Sequence, residues 1–309
     1  MQVTLGINTC FAVKRWPLVE DWAPIVRDRL GLRLVQHSLD LVADGASRAD
    51  AARVADAVRS AGLELHSTFT GLAAYSDNLL LRPDQAGRQA AATWFGWVIE
   101  WTRALGGIAT GGHVGAFSVP DWTHPGRRAA LWQELQASLL ALSAVAHRAG
   151  LEYLLVENLA AAREPSTMAM VRELLTDGDD HSVPVRLCLD VGHMCVPGTA
   201  GDDRDPYAWL RELGWAAPVV QLQQSDAEGD HHWPFTAERN AAGRIDADRV
   251  LDALEAGGVA ETALILEVIP PFEQDDAAVL DDLAASVDYW GEALARRGLG
   301  GEQVPGARG

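Results

Sequence analysis

Eight short β-rich runs alternate with longer helix-compatible segments along almost the whole chain, and that alternation leaves few folds open. The runs lie at 3–10 (VTLGINTC), 32–40 (LRLVQHSLD), 63–70 (LELHSTFT), 107–115 (GIATGGHVG), 152–159 (EYLLVENL), 185–193 (VRLCLDVGH), 218–226 (PVVQLQQSD) and 262–269 (TALILEVI). Helical spacing of apolar residues marks 48–61, 84–105, 125–149, 166–176, 246–257 and 276–297. In RADAARVADAVRSAGLELH one whole unit is visible: a helical pattern, Gly62 as its stop, and an apolar strand at once. Strands alternating with helices predict a parallel sheet, either closed or doubly wound. The first turn decides between them. After the first run the sequence is GINTCFAVKRW, without the G-x-G-x-x-G of a dinucleotide fold, and no P-loop occurs elsewhere. The expectation is therefore an α/β chain with a single (β/α)8 (TIM) barrel over 1–298, followed by a flexible tail at 299–309 (LGGEQVPGARG).

Bulk properties narrow the function. The chain carries 25 basic and 43 acidic residues, a net charge of −18, which disfavours nucleic acid and anionic membranes as partners. No apolar run approaches the roughly 20 residues of a membrane span, and MQVTLGINTC does not read as a signal peptide. Three cysteines, Cys10, Cys188 and Cys195, are too few and too odd for a disulfide framework, so a reducing cytoplasm is expected. A small molecule is the expected partner, with homo-oligomerisation left open.

The polar residues at the strand ends carry most of the signal. Strands of a parallel barrel are buried on both faces and should read as apolar. Yet His37, His113, Glu157, Asp190, His193 and Glu267 stand at strand ends, and His66 and Gln223 lie within strands. The C-terminal rim of such a barrel is where its active site forms, so these groups are expected to converge. A lone histidine there is ordinarily a hydrogen-bonded core residue. A glutamate behind LLV or LIL is different, because a buried unpaired carboxylate must find a cation or stay protonated. Two glutamates, an aspartate and an amide or imidazole form a hard donor set, suited to Mn2+, Mg2+ or Co2+ rather than to a thiolate-type zinc site.

LLVEN with Glu157, LDVGHM with Asp190 and His193, QLQQSD with Gln223 and LEV with Glu267 resemble the xylose-isomerase-like barrel superfamily, over roughly residues 3–295. That group includes sugar phosphate isomerases and epimerases, ketose 3-epimerases, hydroxypyruvate isomerase and a three-zinc apurinic endonuclease. The resemblance implies a divalent metal held by Glu157, Asp190, Gln223 and Glu267, with Mn2+ placed ahead of Mg2+, Co2+ and Zn2+. It also implies that Glu157 and Glu267 act as acid and base. Gln223 departs from the histidine more usual in the group. His66, His113, His193, Asp230 and His232 fall where the endonuclease keeps ligands, which makes a multi-zinc phosphodiesterase the alternative enzyme. A non-catalytic sugar-binding barrel is the alternative outside enzymes.

The implied reaction is isomerisation or epimerisation of a small ketose or ketose phosphate, most specifically a tetrulose phosphate. His66, His113, His193 and His232 are expected to touch substrate, with Arg163 as the basic residue nearest Glu157 in sequence. Lys14 and Arg15, unusual in so acidic a chain, are expected to clamp a phosphate. The non-periodic stretch 226–245 is expected to be a loop of the active-site rim.

Overall fold

The eight runs become eight parallel strands: β1 (Gln2–Asn8), β2 (Leu34–Ser38), β3 (Glu64–Phe69), β4 (Ala109–Gly112), β5 (Tyr153–Glu157), β6 (Val185–Asp190), β7 (Val219–Leu222) and β8 (Glu261–Leu266). They pair in sequence order, and β8 returns to β1 from Gln2↔Glu261 to Ile7↔Leu266, closing the barrel. The computed structural model describes residues 1–43 and 45–299; of the predicted tail, residues 300–309 lie outside the described part. The strands are shorter than the apolar runs because the polar ends of those runs turn out into rim loops. Gly111 and Gly112, the last residues of β4, adopt φ of 146° and 128°. A Cβ on Gly111 would lie 1.9 Å from the Leu155 carbonyl oxygen, so only glycine permits that approach of β4 to β5.

Long helices appear where the periodicity predicts them, at Arg48–Ser60, Gln85–Leu105, Pro125–Ala149, Ala247–Ala256 and Asp276–Arg296. Their ends are chemically marked. Ser47 and Asp50 form a reciprocal capping box on the first, Asp84 caps the second through the Gly87 N–H, and Gly106 and Gly150 end the second and third in the left-handed conformation. Over 166–176 the helix covers only Met168–Arg172. The eight-residue helix Pro206–Leu213 was not expected; it is too short for periodicity to mark, though Asp205 caps it and Pro206 opens it.

Alternation along the strands sorts side chains into two environments. Val220, Leu222, Leu264 and Leu266 pack outward with Val250, Leu254 and Trp290 of the helices, while Leu155, Cys188, Val219, Ala263 and Ile265 fill the lumen. Above that apolar plug lies a layer of amides. Asn8 Nδ2 and Gln221 Nε2 both donate to Gln36 Oε1, at 2.9 and 3.0 Å, and Gln36 Nε2 donates to Ser67 Oγ at 3.1 Å.

Candidate active site

Glu157 and Asp190 close β5 and β6, and Gln223 and Glu267 are the first residues beyond β7 and β8. All four are fully or almost fully buried. The structure brings this predicted quartet together at the C-terminal mouth of the barrel, with His193 and His232 beside it. Ligand atoms of Glu157, Asp190 and His193 lie within 4.8 Å of one another, as do those of Asp190, His232 and Glu267 and those of His193, Asp230 and His232.

The contacts are directional. Asn158 accepts the Asp190 N–H through Oδ1 and donates through Nδ2 to the Asp190 carbonyl, both at 2.9 Å, which ties β5 to β6. Its own carbonyl faces His193 Nδ1 at 2.7 Å, so that nitrogen carries a proton and Nε2 points at Asp230 Oδ2, 3.3 Å away. Asn8 Nδ2 donates to Glu267 Oε1 at 3.1 Å. Tyr75, on the loop after β3, donates its hydroxyl to Glu157, 2.8 Å from each carboxylate oxygen. Gly192 donates to Asp190 Oδ1 at 2.6 Å. A Cβ on Gly192 would sit 2.3 Å from Gln223 Cδ, so the glycine makes room for the amide.

Gln223 reaches the cluster through its nitrogen. Oε1 accepts the His232 N–H at 2.6 Å, while Nε2 donates to Asp190 Oδ1 at 3.0 Å and Asp230 Oδ1 at 2.8 Å. A backbone N–H can only be met by the amide oxygen, so this orientation is fixed by chemistry. His232 itself has φ of 48°, a strained setting for a non-glycine residue of the kind that collects at functional sites.

Electrostatics follow from crowding carboxylates in a dry barrel. Burial raises Glu157 to about 8, opposed by His193 and reinforced by Asp190. Burial, then Glu157 and Asp190, hold Glu267 well above the usual carboxylate range. For His193, burial disfavours the cation, but Asp190, Asp230 and Glu157 outweigh it and hold the pKa well above that of ordinary imidazole. For Asp230, burial raises the pKa, yet His193 and His232 hold it well below the normal range. Among the described residues, Asp190 Oδ2 and Glu267 Oε2 are buried without any hydrogen-bond partner. Buried polar atoms are almost always paired, so two orphaned carboxylate oxygens in one cluster fit a bound cation.

The remaining predicted residues are distributed differently. His113 is adjacent: its ring stacks on Tyr75 at 5.0 Å, its Nε2 meets the Asp77 carbonyl at 3.2 Å, and burial lowers it to about 4. His66 is elsewhere. Its Nε2 lies 3.2 Å from the Tyr153 hydroxyl, and Tyr153 begins the strand that Glu157 ends, some 13 Å away at strand rise. Position 66 lies in the lower half of β3, so the expected substrate contact is corrected. Arg163 donates to the Phe117 carbonyl and joins the loops after β4 and β5. Lys14 and Arg15, the expected phosphate clamp, already have partners of their own. Arg15, with its side chain 7% exposed, pairs with Asp276 and donates to the carbonyls of Pro271 (2.7 Å) and Phe272 (3.0 Å). Lys14 Nζ sits 3.9 Å over the Phe272 ring. The pair fastens the first rim loop to the last.

Tyr75, Asn8 and Asn158 were missed. Asn8 and Asn158 end or follow strands like the residues that were found, and LVEN placed Asn158 next to Glu157. Tyr75 lies in a loop whose sequence, GLAAYS, carries no such mark. The predicted rim loop 226–245 does supply Asp230 and His232, and an isolated antiparallel bridge between Gln224 and Trp233 ties it to the segment that follows β7. A cavity of about 820 Å3 lined by Asp40, Asp77, Arg82, Trp94 and Trp97 lies beside the loop of Tyr75, and none of the site carboxylates line it.

The family model described as xylose isomerase-like TIM barrel matches residues 28–287. The chain is 29% identical over 300 residues to D-erythrulose 1-phosphate 3-epimerase of Brucella abortus, covering 94% of this chain and 96% of that protein. A putative xylose isomerase from Rhodospirillum rubrum has a crystal structure similar to this one, with a TM-score of 0.85, 34% identity, and coverage of 93% and 98%. D-psicose 3-epimerase of Clostridium cellulolyticum, solved with D-tagatose, shares the fold at a TM-score of 0.70 and 16% identity, over 94% and 99% of the chains.

Proposed function

The chain belongs to the xylose isomerase-like TIM barrel family, and from the site it builds we propose that it is a divalent-metal-dependent epimerase or isomerase of a small ketose phosphate, most specifically a four-carbon 3-epimerase. The observation that carries this reading is the pair of buried glutamates, Glu157 and Glu267, each clustered with Asp190, with unpaired carboxylate oxygens on Asp190 and Glu267. The Brucella relative, which acts on D-erythrulose 1-phosphate, supports the carbon count and the phosphate.

Glu157, Asp190 and Glu267 are the residues that would hold the metal, and an oxygen-rich set of this kind suits Mn2+. Gln223 joins them as an oxygen ligand only if its amide turns and gives up the His232 N–H. When bound, the ion supplies charge stabilisation for the oxygens of an enediolate. The chain's own residues do the rest. One glutamate takes the proton from the carbon beside the ketose carbonyl, and the electron pair moves toward that carbonyl oxygen. The other glutamate, as a carboxylic acid, returns a proton to the opposite face, and the carbonyl re-forms. Burial keeps the proton affinity of both glutamates high, which counteracts the lowering that a cation imposes and leaves them competent bases near neutral pH. His193 and His232 stand where substrate oxygens would need a donor or an acceptor.

The test is solvent deuterium incorporation at the α-carbon of tetrulose phosphates and of free ketoses. Wild-type enzyme with Mn2+ should label a tetrulose phosphate and lose activity on chelation. Glu157→Gln and Glu267→Gln should each lower turnover at least about a hundredfold while metal remains bound. Wild-type rates from both variants, or full turnover in metal-free protein, would refute the reading.

A further inference from the structure

We infer that Tyr75 is a positioning residue for this reaction: its hydroxyl fixes the carboxylate of Glu157 in the orientation from which that carboxylate exchanges a proton with the sugar carbon. The inference rests on the proposed function and concerns a residue outside the strand-end set.

Glu157 is fully buried, and the Tyr75 hydroxyl is its sole side-chain hydrogen-bond partner among the described residues, 2.8 Å from both Oε1 and Oε2. A single O–H equidistant from both oxygens holds the carboxylate head in place and sets the direction it faces. Glu267 is held differently, through one oxygen only, by Asn8. Tyr75 is itself firmly held. Its ring stacks on His113 at 5.0 Å with 23° between planes, and His113 is anchored through its backbone N–H to Thr70 Oγ1 at 2.9 Å and through Nε2 to the Asp77 carbonyl. The turn that carries it is fixed by Asp40, whose carboxylate accepts the N–H groups of Leu72 (2.6 Å) and Ala73 (2.9 Å). Gly71, at φ 83°, precedes that turn, and a Cβ there would lie 2.6 Å from Asp40 Oδ2. Several independent contacts thus hold one phenol oxygen in place, as a group setting near-attack geometry requires.

The consequence is a kcat effect that runs through Glu157. Tyr75→Phe keeps the ring stack and removes only the donor. With Mn2+ and a tetrulose phosphate it should lower kcat about ten- to hundredfold, the scale of a lost hydrogen bond to a charged group, with KM changed less than about threefold. In α-carbon exchange, Tyr75→Phe combined with Glu157→Gln should be no slower than Glu157→Gln alone, whereas combined with Glu267→Gln its effect should persist. Wild-type kcat in Tyr75→Phe, a KM effect without a kcat effect, or a full additional loss in the Glu157→Gln background would each overturn the inference. One readout needs no activity. With 13C-carboxyl-labelled glutamate, the Glu157 resonance, identified by its absence in Glu157→Gln, should shift in Tyr75→Phe. If wild type labels no ketose phosphate the proposed function fails, while an unmoved Glu157 resonance sinks the Tyr75 contact itself.

Discussion

Raising the pH on metal-free protein should unfold it more easily, and the size of the effect can be worked from Glu157. Its pKa climbs from 4.5 to about 8 on folding, chiefly through burial. The folded state therefore binds this proton more tightly than the unfolded state does. The stabilisation is complete below about pH 4.5 and is lost as pH rises through about 8. Between pH 5 and 8 the loss from this one group is roughly 3–4 kcal/mol. At about 2 °C per kcal/mol for a chain of this size, Tm should fall by some 7 °C. Glu267 and His193 are displaced upward as well, so they push in the same direction. Asp230 is displaced downward, and its contribution is constant over this range. Scanning calorimetry on chelated protein at pH 5, 6.5 and 8 measures the slope. The same scans on Glu157→Gln separate the site from the general repulsion of a chain of charge −18. Added Mn2+ should stabilise most at pH 8, where protons compete least for the carboxylates. A metal-free Tm that is flat or rising from pH 5 to 8, or an undiminished slope in Glu157→Gln, would refute the reasoning.

Two further outcomes follow from the geometry. Arg15→Ala removes contacts to two carbonyls and to Asp276, so it should cost about 1–3 kcal/mol of stability and change KM equally for phosphorylated and free ketoses; a selective rise for the phosphorylated substrate would return Arg15 to the site. Gln223→His replaces an amide that now faces the carboxylates with its nitrogen by an imidazole lone pair, so competition titration should show a shift from Mn2+ toward Zn2+ or Co2+; an unchanged preference would place position 223 outside the coordination sphere.

What could be read from the sequence was what periodicity and burial cost encode. The eight runs gave the barrel because a strand buried on both faces must be apolar, and Glu157 and Glu267 stood out because LLVE and LILE break that rule at the last residue. His66 also interrupts a strand, but one turn of alternation cannot tell the rim from the base; only the pairing of β3 with its neighbours puts it level with Tyr153. Arg15 shows the converse limit. A basic residue in an acidic chain draws attention as a free cation, and its partner Asp276 is 261 positions away in sequence. Tyr75 was illegible for the same reason: its importance lies in an oxygen of Glu157, and nothing local in GLAAYS announces that contact.

The fixing of the cluster from below and behind decides how its variants should be interpreted. Asn158 locks the Asp190 backbone and the His193 ring, and Asn8 reaches Glu267 from an amide layer already bonded to Gln36 and Gln221. These supports act on backbone groups or on oxygens that an amide side chain retains. Replacing a glutamate by glutamine therefore leaves this frame standing; it removes charge and basicity at one point and, at Glu157, leaves one oxygen instead of two to accept from Tyr75. It also removes one of several mutually repelling carboxylates, which should stabilise the metal-free fold rather than weaken it. A site whose chemistry is lost while its thermal stability rises is the signature of groups held against their own electrostatic preference, as activity requires. If Glu157→Gln or Glu267→Gln instead lowered the Tm of metal-free protein at pH 8, the carboxylates would be structural partners, and their convergence would no longer argue for catalysis.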